Sequence, residues 1–279
     1  MTLAALLQDP KFELIPMRNV LEQAAHLPRG ATVTVTASPA KGMDATLDLA
    51  EQLAGLHLNV VPHLSARLVR DRLHLVELLG RMARAGFRRV FVVGGDAEEP
   101  GAYRDALTLL GDIEEEGRHF DEIGVTGYPE GHPLIPNSVL REALIAKAPH
   151  ADYIATQMCF DPKAIVRWVG SIRQDGIDLP IHLGVPGVAD LTKLISISAR
   201  IGIGDSVRYL RKNSKLLGRL LGHGGFSPDG LLQGLGAALD DPAVGIARLH
   251  VFTFNQVEAT EKWRRSLLEE TTGSSQTEP

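Results

Sequence analysis

"LNVVPHLSARLVRDRLHLVELLGRMARAGFRRVFVVGGD", residues 58–96, contains two short apolar runs, LNVV at 58–61 and RVFVV at 89–93, separated by RLHLVELLGRMARAG at 72–86. The runs are rich in β-branched residues and end in polar or glycine-rich residues, as strands do. The segment between them spaces its apolar residues three and four apart, the period of a helix with one buried face. Strand, helix and strand in that order predict a parallel pair joined by a right-handed crossover, with the helix outside the sheet.

The alternation continues in both directions. Strands are predicted at 12–15 (FELI), 32–36 (TVTVT), 122–126 (EIGVT), 152–156 (DYIAT), 181–184 (IHLG) and 248–252 (RLHVF), which brings the total to eight, and ATLDLAEQLAGL at 45–56 is a further helix. Eight strands alternating with helices predict an α/β chain closed into a (β/α)8 barrel of the TIM type. An open doubly wound sheet would carry G-x-G-x-x-G after its first strand, and none follows here. With 279 residues, the chain is expected to form a single catalytic barrel over 1–270 and a disordered C-terminal tail over 271–279. Residues 200–245 break the alternation and read as helices with glycine breaks, inserted before the last strand.

Composition narrows the partners. Apolar residues make up 44% and charged residues 23%, and 29 basic against 34 acidic residues leave a net charge of −5. The basic residues are scattered apart from RYLRKNSK at 208–215, which argues against a nucleic-acid partner. The single cysteine, Cys159, excludes an internal disulfide and a thiolate metal cluster. MTLAALLQDP lacks the basic start and long apolar core of a secretion signal, and no run reaches the roughly 18 to 20 apolar residues of a membrane span. The expectation is a cytoplasmic protein without a membrane partner. The apolar stretches LLGRLLG (216–222) and LLQGLGAAL (231–239) are candidates for a homo-oligomeric contact.

In such a barrel the chemistry sits at the carboxyl ends of the strands. Those ends carry Glu13, Thr36, His63, Gly95, Asp96, Tyr128, Glu130, His132 and Gln157. The set suits a polar heterocycle. It contains no G-x-S-x-G elbow, and no H-x-H or H-E-x-x-H spacing, so neither a serine nucleophile nor a metal is expected. Glu13 stands inside the apolar run FELIP, where a carboxyl group either finds a partner or keeps its proton. Kept protonated, it is a general acid near neutral pH; paired, its partner would be Arg18 or Lys41. Asp96, after two glycines, either faces a developing cation or caps the helix of EEPGAYRDALTLL. Gln157 offers a donor and an acceptor to a ring edge, or is a satisfied core amide.

Six stretches in order, FELIP (12–16), PHLSA (62–66), VVGGD (92–96), GYPEGHP (127–133), ATQMCFD (155–161) and HVFTFNQ (250–256), make the chain similar to the methylenetetrahydrofolate reductase family. The resemblance implies an oxidoreductase of one-carbon metabolism and methionine biosynthesis. Such an enzyme reduces 5,10-methylenetetrahydrofolate to 5-methyltetrahydrofolate with NADH or NADPH through bound FAD. It implies Glu13 as the acid that protonates folate N5 and opens the methylene bridge to an iminium. Asp96 would bind the pterin and favour the cation, and Gln157 would hydrogen-bond the ring. Thr36, His63, Gly95, Asp96, Tyr103, Tyr128, His132 and Lys147 would line the flavin and its phosphates, with Thr36 and Tyr128 also near the substrate.

The chain departs from the family pattern mainly on the flavin side. Gly94 stands where arginine is usual, and Ala37 and Ser38 replace an aromatic and a glycine. SVLREALIAKAPHA (138–151) keeps chiefly Arg141 and Lys147, and RIGIGDSVRYL (200–210) offers no aromatic before Tyr209. Arg208, Arg211 and Lys212 form either a 2′-phosphate pocket or a solvated helix face. These departures keep two alternatives open: a flavin-independent reductase passing hydride directly from NADH to the folate iminium, and a folate-binding or methyl-transfer barrel without reductase activity.

Overall fold

Eight strands close the barrel in the computed structural model, which describes residues 2–190, 194 and 225–273. They are β1 (Lys11–Leu14), β2 (Thr32–Val35), β3 (Asn59–Ser65), β4 (Arg89–Val93), β5 (Glu122–Gly127), β6 (Tyr153–Thr156), β7 (Ile181–Pro186) and β8 (Ile246–Phe252). Every neighbouring pair is parallel, and β1 closes the ring against β8. Among the described residues the helices include α1 (Leu3–Gln8), α2 (Val20–Ala24), α3 (Gly42–Gly55), α4 (Arg72–Arg84), α5 (Ala106–Glu115), α6 (Asn137–Lys147), α7 (Pro162–Gln174), α8 (Asp229–Leu235) and α9 (Val257–Gly273).

All eight expected strands are present, within a few residues at either end. The largest difference is β3, which continues to Ser65 and so includes Pro62 and His63 rather than ending before them. Successive side chains alternate across each strand. In β4, Val90 and Val92 are fully buried in the outer core beneath the helices. Phe91, between them, points into the lumen against Tyr153, Val61 and Ala155.

The lumen is not filled only by the branched apolar side chains usual in such barrels. Lys11, Thr34, His63, His182 and His250 are buried polar residues of the strands. The His182 ring stacks on Tyr153 with centroids 3.9 Å apart, and Lys11 Nζ stands 3.7 Å from the centre of the Tyr153 ring. Tyr153 can cross the lumen because residue 124 is glycine, where a Cβ would collide with the phenol ring.

Asp71, Asp105 and Asp161 accept hydrogen bonds from the first-turn N–H groups of α4, α5 and α7. Asp105 therefore takes the cap of α5 that the sequence also allowed for Asp96. In LLQGLGAAL, Leu231, Leu232, Leu235 and Leu239 are buried in the barrel's own outer core. Of the expected insertion, α8 and the 3-10 turn Gly236–Leu239 are described. Ala189–Asp190 also pairs antiparallel with Gly225–Phe226. LLGRLLG, RYLRKNSK and the expected aromatic position up to Tyr209 lie outside the described residues. α9 runs to Gly273, past the expected start of the tail at 271; residues 274–279 lie outside the described residues. Among the described residues no helix is long and apolar enough to cross a membrane.

Candidate active site

Glu13 leaves β1 near the mouth of the barrel with 14% of its side chain exposed, and its Oε2 lies 3.2 Å from His250 Nε2 of β8. Neither partner allowed by the sequence is used: Lys41 Nζ donates to the Pro16 carbonyl, and Arg18 is exposed. The backbone around Glu13 is clamped from the loop after β8. Thr253 Oγ1 donates to the Glu13 carbonyl at 2.6 Å, while Asn255 accepts from Ile15 N–H at 2.9 Å and donates to the Ile15 carbonyl at 2.8 Å. Phe254 and Asn255 both have positive φ, 49° and 56°, a region asparagine tolerates well.

His63 lies deeper than a residue of the rim. It is 6% exposed, and its ring centroid is 4.8 Å from that of Phe91. Burial pulls its pKa down to about 4; the Glu13 charge opposes the shift and His250 adds to it. The imidazole is therefore neutral at physiological pH.

The turn after β4 requires its glycine. Gly95 has φ of 88°, and a Cβ there would collide with Ser65 Oγ at the end of β3. Arg67 straps the same loop: its N–H donates to Gly94 O at 3.0 Å, its Nε to Ala97 O at 2.6 Å and its Nη2 to Glu98 O at 3.0 Å. Asp96 is thereby held exposed at the rim. Across from it, Tyr128 meets His132 edge-on at 5.5 Å. Burial raises the Tyr128 phenol above its ordinary range; Thr126 opposes the shift by a hydrogen bond and the Asp96 charge adds to it. His132 Nδ1 accepts from Leu134 N–H at 3.2 Å. Gln157 donates its backbone N–H to Gly127 O at 2.7 Å, and its Oε1 accepts from Met158 N–H at 2.8 Å. Thr36 donates its N–H to Leu14 O at 3.0 Å at the end of β2.

Two predicted residues do not join this rim. Tyr103 is 3% exposed in the outer core, and its phenol donates to Asp112 of α5 at 2.6 Å. Lys147, at the end of α6, is also buried, which pulls its ammonium down to about 8 against the raising effect of Asp105. Lys147 lines a cleft of about 480 Å³ between α6 and α7, with Tyr128, Glu130, Arg167 and Trp168. None of Glu13, His63, Asp96 or Gln157 borders that cleft. Arg141, on its wall, is committed to Asp175, with Nε to Oδ2 at 2.6 Å. Among the described residues no three His, Cys, Asp or Glu side chains are grouped to hold a metal ion.

Sequence reasoning missed His250, Thr253, Asn255 and Arg67. The first three lie in HVFTFNQ, which carried the resemblance, yet nothing in its spacing shows that the chain returns there to β1. Arg67 reads as an ordinary surface cation until the β4 loop is seen folded over it.

The sequence profile of the methylenetetrahydrofolate reductase family matches residues 9–203, which include Glu13, Asp96 and Gln157. The chain belongs to this family. Methylenetetrahydrofolate reductase 2 of Saccharomyces cerevisiae is 40% identical over 78 residues, 26% of this chain and 12% of that protein. Methylenetetrahydrofolate reductase 1 of Schizosaccharomyces pombe is 30% identical over 121 residues, 38% of this chain and 19% of that protein. The matches thus span less than a fifth of either relative. A crystal structure from Burkholderia cenocepacia J2315, described as that of a phosphonomutase, shares the fold with a TM-score of 0.52 at 12% identity over 95% of each chain.

Proposed function

We propose that this protein reduces 5,10-methylenetetrahydrofolate to 5-methyltetrahydrofolate, with a reduced nicotinamide dinucleotide as the hydride source. The observation that carries the reading is Glu13, a carboxyl group at the mouth fixed through its own backbone by Thr253 and through Ile15 by Asn255, with a histidine 3.2 Å from its side chain. An acid so fixed can deliver a proton at one atom of a bound ligand. Electron counting puts that proton on N10 rather than N5: N10 is the nitrogen that leaves, and the cation left behind is the N5 iminium. Asp96, exposed at the rim, supplies negative charge where that cation forms. Gln157 has its amide oxygen engaged by Met158, so it offers its NH₂ group to an acceptor on the pterin edge. Hydride from the nicotinamide to the iminium carbon completes the balance: one proton and one hydride are consumed, and the methylene becomes a methyl.

The resemblance implies FAD between nicotinamide and folate, and the residues of this chain do not fit that group at its phosphate end. The Tyr103 phenol is spent on Asp112, Arg141 is spent on Asp175, and Lys147 is buried in the cleft that Tyr128 lines. Gly94 also leaves the β4 loop without the usual arginine. These observations favour direct hydride transfer from nicotinamide to folate.

The deciding experiment is the absorbance spectrum of the purified protein, followed by NADH and NADPH oxidation with methylenetetrahydrofolate, with and without added FAD. A colourless protein that oxidises the nicotinamide only when folate is present supports direct transfer. Flavin bands, or activity that appears only with FAD, would restore the flavin route. Absence of folate-dependent oxidation under all these conditions would sink the reductase reading. Glu13→Gln is expected to lower folate reduction by about 10²- to 10⁴-fold, the range general acids supply, while folate binding measured by fluorescence persists.

A further inference from the structure

The polar side chains inside the barrel are not explained by binding at its mouth. Among the described residues, His250 Nδ1, His182 Nδ1, Tyr153 Oη, His63 Nε2 and Thr34 Oγ1 are buried strand atoms without a protein hydrogen-bond partner. Left dry, each such atom costs about 1–3 kcal/mol, and five together would consume much of the roughly 5–15 kcal/mol that holds a domain folded. Internal water is the ordinary remedy where several polar atoms share an enclosed space.

Strand register and ring contacts relate these residues to Glu13 and to one another. Thr34 is in register with Glu13 on the neighbouring strand, and His250 is in register with Lys11 one layer below Glu13. His182 pairs with Arg248, two residues before His250 on the same strand. The His182 ring stacks on Tyr153, and Lys11 stands over the Tyr153 ring. At the opposite end Lys11 Nζ meets Glu122 Oε1 at 2.5 Å. Glu122 also lies 3.3 Å from Arg89, and Arg248 pairs with Asp9. Glu122, Arg89 and Asp9 have 23%, 41% and 57% of their side chains exposed, so this end reaches solvent on the face away from the mouth.

We propose that the lumen is a hydrated proton path that reloads Glu13 from the amino-terminal face of the barrel through His250, His182 and Tyr153. The proposal deepens, and rests on, the assignment of Glu13 as proton donor. When Glu13 has given up its proton, His250 passes the proton on Nε2 to Glu13 Oε2 and takes one at Nδ1 from a bridging water, and the ring must turn to bring a protonated nitrogen back to Glu13 before the next turnover. That water is resupplied through His182 and the Tyr153 hydroxyl, and the deficit is made good by solvent at the Glu122 end. No group in the path changes its net charge for longer than the transfer, which suits His182, an imidazole that burial keeps neutral. Folate and nicotinamide at the mouth would shut the direct route from solvent to Glu13, and a second entrance removes that conflict.

Two variants and one structure test this. In a high-resolution crystal structure of the full chain, ordered waters are expected on His182 Nδ1, His250 Nδ1 and Tyr153 Oη; a dry lumen overturns the path. Tyr153→Phe removes only a hydroxyl, and His182→Phe blocks the lumen. Each is expected to lower kcat for folate reduction about tenfold or more, on the scale of general acid–base effects, and to raise the solvent deuterium isotope effect. KM for folate and nicotinamide should stay unchanged. An unchanged kcat and isotope effect in Tyr153→Phe would overturn the proposal even if His182→Phe fails to fold. A wild-type protein with no folate reductase activity would overturn the function of the path, whereas the water positions are read without turnover.

Discussion

Asn255 does more for the position of Glu13 than any residue adjacent to it in sequence. Its amide makes two hydrogen bonds to the Ile15 backbone, its own backbone has φ of 56°, and the residue is 6% exposed. Asn255→Ala removes both bonds and puts a less tolerant residue in the left-handed region. A loss of about 2–4 kcal/mol is expected, from roughly 1 kcal/mol or more per bond plus the backbone cost, and a fall in the urea midpoint measures it. Asn255→Asp keeps the acceptor and the backbone preference but loses the donor, so its midpoint should lie between those of wild type and Asn255→Ala. If the two variants unfold at the same denaturant concentration, the bond from Ile15 N–H that aspartate keeps contributes nothing. At the same scale, Gly95→Ala should destabilise the β4 turn by about 1–3 kcal/mol, because the new Cβ meets Ser65 in a strained φ region. Folate turnover should fall with it, since Asp96 follows directly.

Among elements, α9 is tied to α1 by Arg264, which forms a buried ion pair within α9 and a hydrogen bond to α1. Arg264 of α9 holds Glu261 with bonds of 2.6 and 2.7 Å and reaches back to the Leu7 carbonyl of α1 at 2.7 Å. Removing one member of such a pair strands the other. Arg264→Met is expected to cost about 3–5 kcal/mol, seen as a lower Tm and faster amide exchange in α1. The exposed Arg265, which also contacts Glu261 at 2.7 Å, would recover only part of the loss. This contact was invisible in the sequence, as was the pairing of Glu13 with His250, for a common reason. Short apolar runs mark where strands lie, and three-and-four spacing marks helices, so RVFVV and RLHLVELLGRMARAG were legible. In a strand buried on both faces neither run says which residues turn inward. FELI and RLHVF therefore hid the fact that Glu13 and His250 share a lumen. The rim residues Asp96, Tyr128 and Gln157 were legible because they sit just past strand ends, where this architecture always faces its mouth. Tyr103 misled because a tyrosine in a loop gives no sign that an aspartate nine residues later will take its hydroxyl.

For the whole molecule, the histidines of the lumen set the acid limit of stability. His63 has a folded pKa of about 4 against an ordinary 6.5, and burial also drives His182 far down, helped by the Lys11 and Arg248 charges. Each binds its proton more readily in the unfolded chain, so the unfolded state gains protons first on acidification. The stability carried by neutral His63 is fully present above pH 6.5 and is lost progressively down to about pH 4. By then the loss from this one residue is about 3 kcal/mol, because each tenfold difference in proton affinity between folded and unfolded chain is worth about 1.4 kcal/mol. His182 contributes in the same direction and continues below that window. Lys11 acts at the other end of the scale: its folded pKa of about 8, against 10.5, makes stability rise as pH climbs from 8 towards 10.5. Thermal unfolding between pH 4 and 7 should therefore show a steep fall in Tm, with uptake of more than one proton on unfolding near pH 5. The same measurement on His63→Gln should show a shallower slope by about one proton, whatever its absolute Tm. A Tm that stays level from pH 7 to 5 would mean that His63 and His182 take up protons in the folded chain as readily as in the unfolded one. The burial of His63 and His182 among Phe91 and Tyr153 would then cost their charged forms far less than it does in a dry interior.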